Sequence, residues 1–176
     1  MNIRTNFNST FANRGMSLEN DINESNKYYV DYDIALIYKK PTPIRITKTN
    51  YKNMRITDGF FESPSTLDYN GVYKGYYIEF DAKETRSKTS FPIDNIHKHQ
   101  IDHLIKVKNH GGISFLVIRF TTINKTFLLE TEKLEEFLYN NERKSIPLSY
   151  ISDNGYLINE NYNPRLEYIK IIDKLL

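Results

Sequence analysis

The alternation of apolar and polar residues predicts a β-hairpin near the middle of the chain. Residues 68–73 and 76–83 form two short runs rich in aromatic residues, and Lys74-Gly75 between them is a turn signal. Successive side chains of a strand point to opposite faces, so Asp81 and Lys83 share one face. The second strand therefore presents a carboxylate and an ammonium group side by side.

The first strand of this hairpin brings a second carboxylate to the same place. Asp68 precedes Asp81 by 13 residues (81 − 68), and the hairpin folds it back beside Asp81. Two carboxylates can hold Mg²⁺ or Mn²⁺, which prefer hard oxygen ligands. Lys83 offers a metal no acceptor atom, but it suits stabilisation of charge on a phosphate or orientation of an attacking water.

An acid followed at a distance by acid-x-lysine is the pattern of the PD-(D/E)xK nucleases. The pattern is weak on its own, because an ordinary solvated strand pair of Asp81 and Lys83 has the same sequence. The residues alone leave both interpretations open.

Hydrophobic periodicity predicts the remaining elements. A first helix is expected from Met16 to about Asn26, a buried strand over 33–38 and a half-exposed strand over 44–48. Residues 50–63 show no clean period and no place in a sheet. Further elements are expected as a helix at about 95–109, strands at 113–120 and 126–129, and helices at 131–139 and 165–175. The predicted fold class is α/β, with a mixed sheet flanked by helices.

Composition fits a single domain spanning residues 1–176. A chain of 176 residues with 39% hydrophobic residues can bury a core, and the absence of cysteine excludes disulfides and thiolate metal sites. The N-terminus lacks the apolar run of a signal peptide, and no apolar run is long enough to span a bilayer, so we expect a cytoplasmic protein with no membrane partner. Residues 1–12 are polar and are predicted to form a flexible basic arm.

Positive charge is concentrated between Ile34 and Thr57, which contains six basic residues and no acid. Such a block beside a carboxylate site suits a phosphate backbone, although a solvated basic face would have the same composition. Among the four histidines, His99 and His103 have the spacing of a zinc-binding helix, but no third soft ligand is evident. A neutral polar or DNA-facing role is the favoured interpretation for them.

Several sequence blocks together resemble the RecU-type Holliday junction resolvases, in that family's order and from about residue 10 to the C-terminus. They are Asn13-Arg14-Gly15-Met16, Lys39-Lys40-Pro41-Thr42-Pro43-Ile44, residues 64–75 (PSTLDYNGVYKG), Asp81-Ala82-Lys83-Glu84-Thr85 with residues 88–92 (KTSFP), and His97-Lys98-His99-Gln100-Ile101 with His110-Gly111-Gly112-Ile113. The resemblance implies a homodimeric, Mg²⁺-dependent endonuclease of the restriction-endonuclease-like fold that cuts four-way DNA junctions in recombination and repair.

The same resemblance implies roles for individual residues. Thr66, Asp68, Asp81 and Gln100 match the family's positions for one or two Mg²⁺ ions per protomer, with Mn²⁺ as the other candidate ion. Lys83 matches the lysine that stabilises the transition state. The family usually carries Glu at the position of Asp81, and the shorter Asp leaves a gap that a water on Mg²⁺ can fill.

The resemblance also implies a protruding stalk at about residues 50–63 that enters the junction, against which an ordinary packed loop is the alternative. The residues expected to contact DNA are Arg4, Arg14, Lys39, Lys40, Arg45, Lys48, Tyr51, Lys52, Arg55, Arg86 and Lys88. Glu19 on the first helix is either an accessory metal-site residue or a surface acid that favours the helix N-terminus.

Two other functions stay open at this stage. One is a restriction-like or repair nuclease that acts on a different DNA structure. The other is a catalytically weak junction-binding or recombinase-regulating module, which the departure at Asp81 permits.

Overall fold

The computed structural model describes residues 17–61 and 66–176. Its helices are α1 (Leu18–Asp31), α2 (Lys98–Asn109), α3 (Thr131–Asn140), α4 (Leu148–Asn154) and α5 (Ile169–Leu175). Its strands are β1 (Leu36–Lys39), β2 (Ile44–Asn50), β3 (Arg55–Phe61), β4 (Tyr69–Tyr73), β5 (Tyr76–Thr85), β6 (Ser90–Pro92), β7 (Ile113–Phe120), β8 (Lys125–Glu130), β9 (Ser145–Pro147) and β10 (Tyr156–Leu157). The predicted arm, with Arg4 and Arg14, lies outside the described residues.

A six-stranded mixed sheet in the order β1-β4-β5-β7-β8-β10 forms the centre of the protein. The predicted hairpin is confirmed as β4 and β5, and its turn places both Lys74 (φ 49°) and Gly75 (φ 84°) in the left-handed region. Strand β5 pairs in parallel with β7, while the other neighbours in this sheet are antiparallel. Strand β5 is thus an interior strand, held by hydrogen bonds along both edges.

Helices cover both faces of the sheet, as predicted for the fold class. On one face, Ile78 and Phe80 of β5 pack in a core shared with α1 and α5. On the other, Leu116 and Ile118 of β7 pack in a second core shared with α2, α3 and α4. Since Asp81 pairs with Leu116, the polar side chains of β5 point into the α2 side.

Strands β2 and β3 form a separate two-stranded ribbon in which every residue is exposed. The prediction of a strand at 44–48 is confirmed, but the expectation that residues 50–63 have no place in a sheet is wrong, because β3 occupies 55–61. No alternation of apolar and polar residues is visible in residues 55–61, because both faces of the ribbon are exposed and each carries apolar and polar residues. Residues 62–65 lie outside the described part of the chain.

Three other expectations are corrected. Residues 33–38 were predicted to form a buried strand, yet β1 is an edge strand in which Leu36 and Tyr38 are exposed. Helix α1 extends to Asp31, beyond its predicted end. Helix α5 begins only at Ile169, because the chain makes bends from 162 to 165 before it.

Buried charge fixes α1 against the sheet. Asp21 on α1 forms ion pairs with two arginines. Its Oδ2 lies 2.6 Å from Arg119 Nη1, and its Oδ1 lies 3.1 Å from Arg165 Nε. At the start of α1, Glu84 of β5 accepts a hydrogen bond of 2.8 Å from the backbone N–H of Leu18. None of the described helices is long and apolar enough to cross a membrane.

Candidate active site

Three charged side chains lie on one face of β5, because residues 79, 81 and 83 alternate with the apolar residues of the opposite core. Lys83 Nζ lies 2.7 Å from Asp81 Oδ2. Asp68 lies just before β4, and its Oδ2 accepts a hydrogen bond of 3.3 Å from the backbone N–H of Ala82. The structure therefore brings Asp68, Asp81 and Lys83 together, as the sequence predicted.

Asp81 is fully buried, and within the described residues neither of its carboxylate oxygens accepts a hydrogen bond. The Lys83 ammonium, 2.7 Å from Oδ2, forms an ion pair with this carboxylate. Burial, then the adjacent Asp68 carboxyl, raises the pKa of Asp81 to about 7, and Lys83 opposes the shift. A buried carboxylate without such partners is costly, and a bound cation would supply what it lacks.

Glu79, two residues earlier on the same face, has the opposite environment. Its side chain is 2% exposed, and both oxygens have partners: Oε1 is 2.6 Å from Lys40 Nζ, and Oε2 is 2.9 Å from the Tyr77 hydroxyl and 3.0 Å from His103 Nε2. Burial alone would raise the pKa of Glu79, but the hydrogen bonds from Lys40, His103 and Tyr77 together lower it. Its surroundings thus stabilise the ionised form.

Sequence reasoning missed this cluster. The alternation that selected Asp81 and Lys83 also places Glu79 on their face, and that signal was present in the sequence. Lys40 and His103 had no such signal, because they reach Glu79 from positions 39 and 24 residues away in the chain.

The two other predicted metal-site residues are also near the sheet. Thr66 Oγ1 accepts a hydrogen bond of 2.6 Å from Lys40 Nζ. Gln100 is buried in the first turn of α2, and its side-chain oxygen accepts a hydrogen bond of 3.1 Å from the backbone N–H of His97. That bond caps α2 at its N-terminus, so the Gln100 oxygen already has a structural partner.

The residues predicted to contact DNA fall into distinct places. Arg45, Lys48, Tyr51, Lys52 and Arg55 lie on or at the tip of the exposed ribbon, and Arg86 and Lys88 are exposed after β5. Lys39 pairs with Glu19 on the surface, whereas the Lys40 ammonium is held by internal partners. Glu19 therefore has a basic partner of its own.

The histidines do not form a zinc site within the described residues, where no group of three or more His, Cys, Asp or Glu side chains is arranged to hold a metal. His103 instead contacts Glu79. Asp68 and Asp81 are hard oxygen donors of the kind that Mg²⁺ and Mn²⁺ bind with several waters retained. Their chemistry, and the lack of hydrogen bonds to Asp81, fit such an ion.

The contrast between the two buried acids of β5 gives a stability test in metal-free buffer at pH 8. Asp81→Asn is expected to stabilise the protein, because it removes a buried charge that lies beside the Asp68 carboxyl and is only partly compensated by Lys83, and its amide can donate to Asp68. A gain of about 1–3 kcal/mol in the free energy of unfolding corresponds to the usual cost of an unsatisfied buried polar group. Scanning calorimetry in the presence of a chelator measures it.

Glu79→Gln is the matched control, since it makes the same chemical change on the same face of the same strand. It removes the negative charge that Lys40 and His103 contact and replaces one of the two acceptor oxygens by an NH₂ donor, so it is expected to cost about 2 kcal/mol or more. Losses of equal size in both variants would contradict the difference in environment described above.

The chain is similar in sequence to proteins of one family. A family model described as RecU, Recombination protein U, matches residues 13–174. The Holliday junction resolvase RecU of Staphylococcus aureus strain JH9 is 49% identical over 175 residues, which cover 96% of this chain and 84% of that protein. The protein of the same name from strain MRSA252 gives the same identity and coverage.

Among solved structures, Hjc, a Holliday junction resolvase from the archaeal hyperthermophile Archaeoglobus fulgidus, matches with a TM-score of 0.43 and 11% identity. The match covers 74% of this chain and 90% of that chain. With a family model spanning nearly all of its length and relatives at 49% identity, this chain belongs to the RecU family.

Proposed function

We propose that this protein is a Holliday junction resolvase, an endodeoxyribonuclease that hydrolyses phosphodiester bonds of four-way DNA junctions with a divalent metal ion. The observation that carries the proposal is the buried Asp81 carboxylate, which accepts no hydrogen bond from residues 17–61 or 66–176, lies beside Asp68 and forms an ion pair with Lys83. It occurs in a chain whose relatives at 49% identity are named Holliday junction resolvases.

Mg²⁺ is the proposed cofactor, with Mn²⁺ as a substitute and one or two ions per protomer. Asp68 and Asp81 would hold the ion, with Thr66 and Gln100 completing the site directly or through water. Bound there, the metal acidifies an attacking water and neutralises charge on the phosphate oxygens. Asp81 is shorter than the Glu usual in this family, so retained waters would fill the remaining distance.

Lys83 is the proposed stabiliser of charge that develops on the phosphate. Its ammonium shares the face of Asp81 and is 18% exposed, so a DNA strand laid over the site can reach it. A fixed cation in a partly buried site stabilises a developing anion more than one in bulk water does. Asp81 holds this ammonium close to the site while the substrate is absent.

The ribbon of β2 and β3 is the proposed contact with the junction, acting as the stalk. From residue 44 to 61 it carries four basic residues and one acid, together with exposed Tyr51, Phe60 and Phe61. Basic side chains bind phosphates, and aromatic side chains can stack on bases that are left unstacked where the arms of a junction meet. A free two-stranded ribbon is only marginally stable, which favours a partner for it.

A homodimer is proposed because symmetric cutting of two strands requires two sites. One exposed apolar row crosses three strands of the sheet on the face of Asp81: Leu36, Val72 and Tyr77 lie in register and are 45%, 42% and 42% exposed. We propose that a second copy covers this row. We propose a cytoplasmic location, where a DNA substrate would be available, and a recombinase as a further candidate partner.

The first experiment is cleavage of a synthetic four-way junction in Mg²⁺, beside a linear duplex of the same sequence. The wild-type protein is expected to cut the junction into nicked duplexes with 5′ phosphate and 3′ hydroxyl ends. Lys83→Ala is expected to bind the junction and cut it about 10²–10³-fold more slowly, as for other lost transition-state donors. Denaturing gels and mobility-shift gels measure the two quantities.

Lys133→Ala on α3, a half-buried residue paired with Glu136, is the control and should cut at the wild-type rate. Wild-type protein that binds junctions but cuts them in neither Mg²⁺ nor Mn²⁺ would favour a silent junction-binding or recombinase-regulating module, the function that the Asp81 departure permits. Equal cutting of junction and duplex would favour a nuclease with another substrate.

A second experiment removes the ribbon. Because Arg45 and Phe60 are register partners, residues 46–59 can be replaced by an Asn-Gly turn that joins them. The body should stay folded, while the preference for junction over duplex falls about tenfold or more, within the range for one or two lost stacked bases. Competition binding with both DNAs measures it.

The control keeps the ribbon and neutralises its charge by changing Lys48, Lys52 and Arg55 to Gln. This variant should lose affinity for both DNAs alike, since phosphate contacts carry no preference for shape. Unchanged junction preference in the shortened protein would exclude the ribbon as the stalk.

A third experiment measures mass in solution by light scattering. The wild-type protein is expected to have twice the mass of one chain, and Leu36→Asp should shift it toward the monomer, because a buried unpaired carboxylate would oppose association. Tyr139→Asp, at an exposed site on α3, should leave the dimer intact. A wild-type monomer that resolves junctions at full rate would refute the dimer.

A further inference from the structure

We propose that Lys40 is a positioning residue that holds the Thr66–Asp68 segment in place for the metal ion. The inference rests on the proposed function, because it concerns the same site. Lys40 was expected to contact DNA, but its ammonium is only partly exposed and lies between two internal partners.

Lys40 binds this segment at two points. Its backbone N–H donates to the carbonyl oxygen of Asp68 at 2.8 Å, and its Nζ donates to Thr66 Oγ1 at 2.6 Å. The first bond extends the pairing of β1 with β4 by one residue, since Lys39 already pairs with Tyr69. The second bond joins the side chain of Lys40, just after the edge strand β1, to Thr66, two residues before Asp68.

The ammonium of Lys40 is itself anchored. Its second partner is Glu79 Oε1 at 2.6 Å, and the other oxygen of Glu79 is held by Tyr77 and His103. Glu79 belongs to an interior strand, so it provides a rigid support. The contacts therefore run from β5 through Lys40 to Thr66, while Asp81 projects from the same strand two residues further on.

Loss of the positive charge of Lys40 and loss of its contacts with Thr66 and Glu79 predict opposite changes in metal affinity. A nearby positive charge repels a cation, so electrostatics alone would make a protein without the Lys40 ammonium bind metal more tightly. Loss of the support would instead let Thr66 and Asp68 move and weaken binding. Residues that orient metal ligands contribute about 10–100-fold to affinity in other sites. The sign of the change separates the two effects.

The experiment measures binding of Mn²⁺ alone to the full chain by calorimetry, with melting temperatures recorded without metal. Lys40→Met is expected to weaken Mn²⁺ binding about tenfold or more. Lys40→Met combined with Glu79→Gln keeps the local net charge unchanged and leaves no unpaired buried carboxylate. This double variant should recover part of the melting temperature that Lys40→Met loses, but none of the lost Mn²⁺ affinity.

Thr66→Val tests whether Lys40 acts through Thr66. It should weaken Mn²⁺ binding by a similar factor, and the double variant with Lys40→Met should be no weaker than either single variant. Lys170→Met, an exposed lysine of α5, is the control and should bind Mn²⁺ as the wild type does.

Lys40→Met with wild-type or tighter Mn²⁺ binding would overturn the inference and leave Lys40 a purely structural residue. Losses that add in the double variant would overturn it as well, since Lys40 would then act by another route. Wild-type protein that binds no Mn²⁺ would instead refute the metal site of the proposed function, and the inference with it.

Discussion

The placement of three charged side chains on one face of an interior strand is the constraint on which the site depends. Strand β5 is hydrogen-bonded to β4 and β7, so Glu79, Asp81 and Lys83 cannot turn away from the α2 side. A sheet face that is covered by a helix normally carries apolar residues, and charges placed there need compensation. The residues around β5 supply that compensation unevenly.

Compensation is complete at Glu79 and incomplete at Asp81. Glu79 has a cation, a hydroxyl and an imidazole against its two oxygens, whereas Asp81 has one ammonium and a second carboxylate beside it. Proteins store unfavourable interactions of this kind at sites where a ligand relieves them. Glu79 and Asp81, two residues apart on the same face of one strand, thus have different surroundings, which is the basis for proposing a supporting role for Glu79 and a metal-binding role for Asp81.

Local patterns in the sequence were sufficient for the centre of the fold. The hairpin of β4 and β5, strand β7 and helix α2 were predicted because turn residues and apolar periods occur within a few residues of one another. The juxtaposition of Asp68, Asp81 and Lys83 followed from that hairpin alone. The resemblance to a known family added Thr66 and Gln100 as candidate metal-site residues.

Local sequence patterns gave wrong or missing predictions where contacts join distant parts of the chain and where apolar residues lie on the surface. The apolar run at 33–38 indicated burial, but β1 is an edge strand whose Leu36 and Tyr38 face outward. The ion pairs of Lys40 with Glu79 and of Asp21 with Arg119 join residues that are far apart in the chain, so no local sequence pattern predicts them. The second strand of the ribbon, β3, was missed because all of its residues are exposed and no buried face imposes a period on its sequence.

That separation of the ribbon from both cores has an evolutionary consequence. Substitutions, insertions or changes of length in β2 and β3 remove no packing from the sheet that carries the carboxylates. A lineage can therefore change the ribbon, the proposed contact with DNA, at one rate while the sheet that carries the carboxylates changes at another. New specificity in such proteins need not begin with new chemistry.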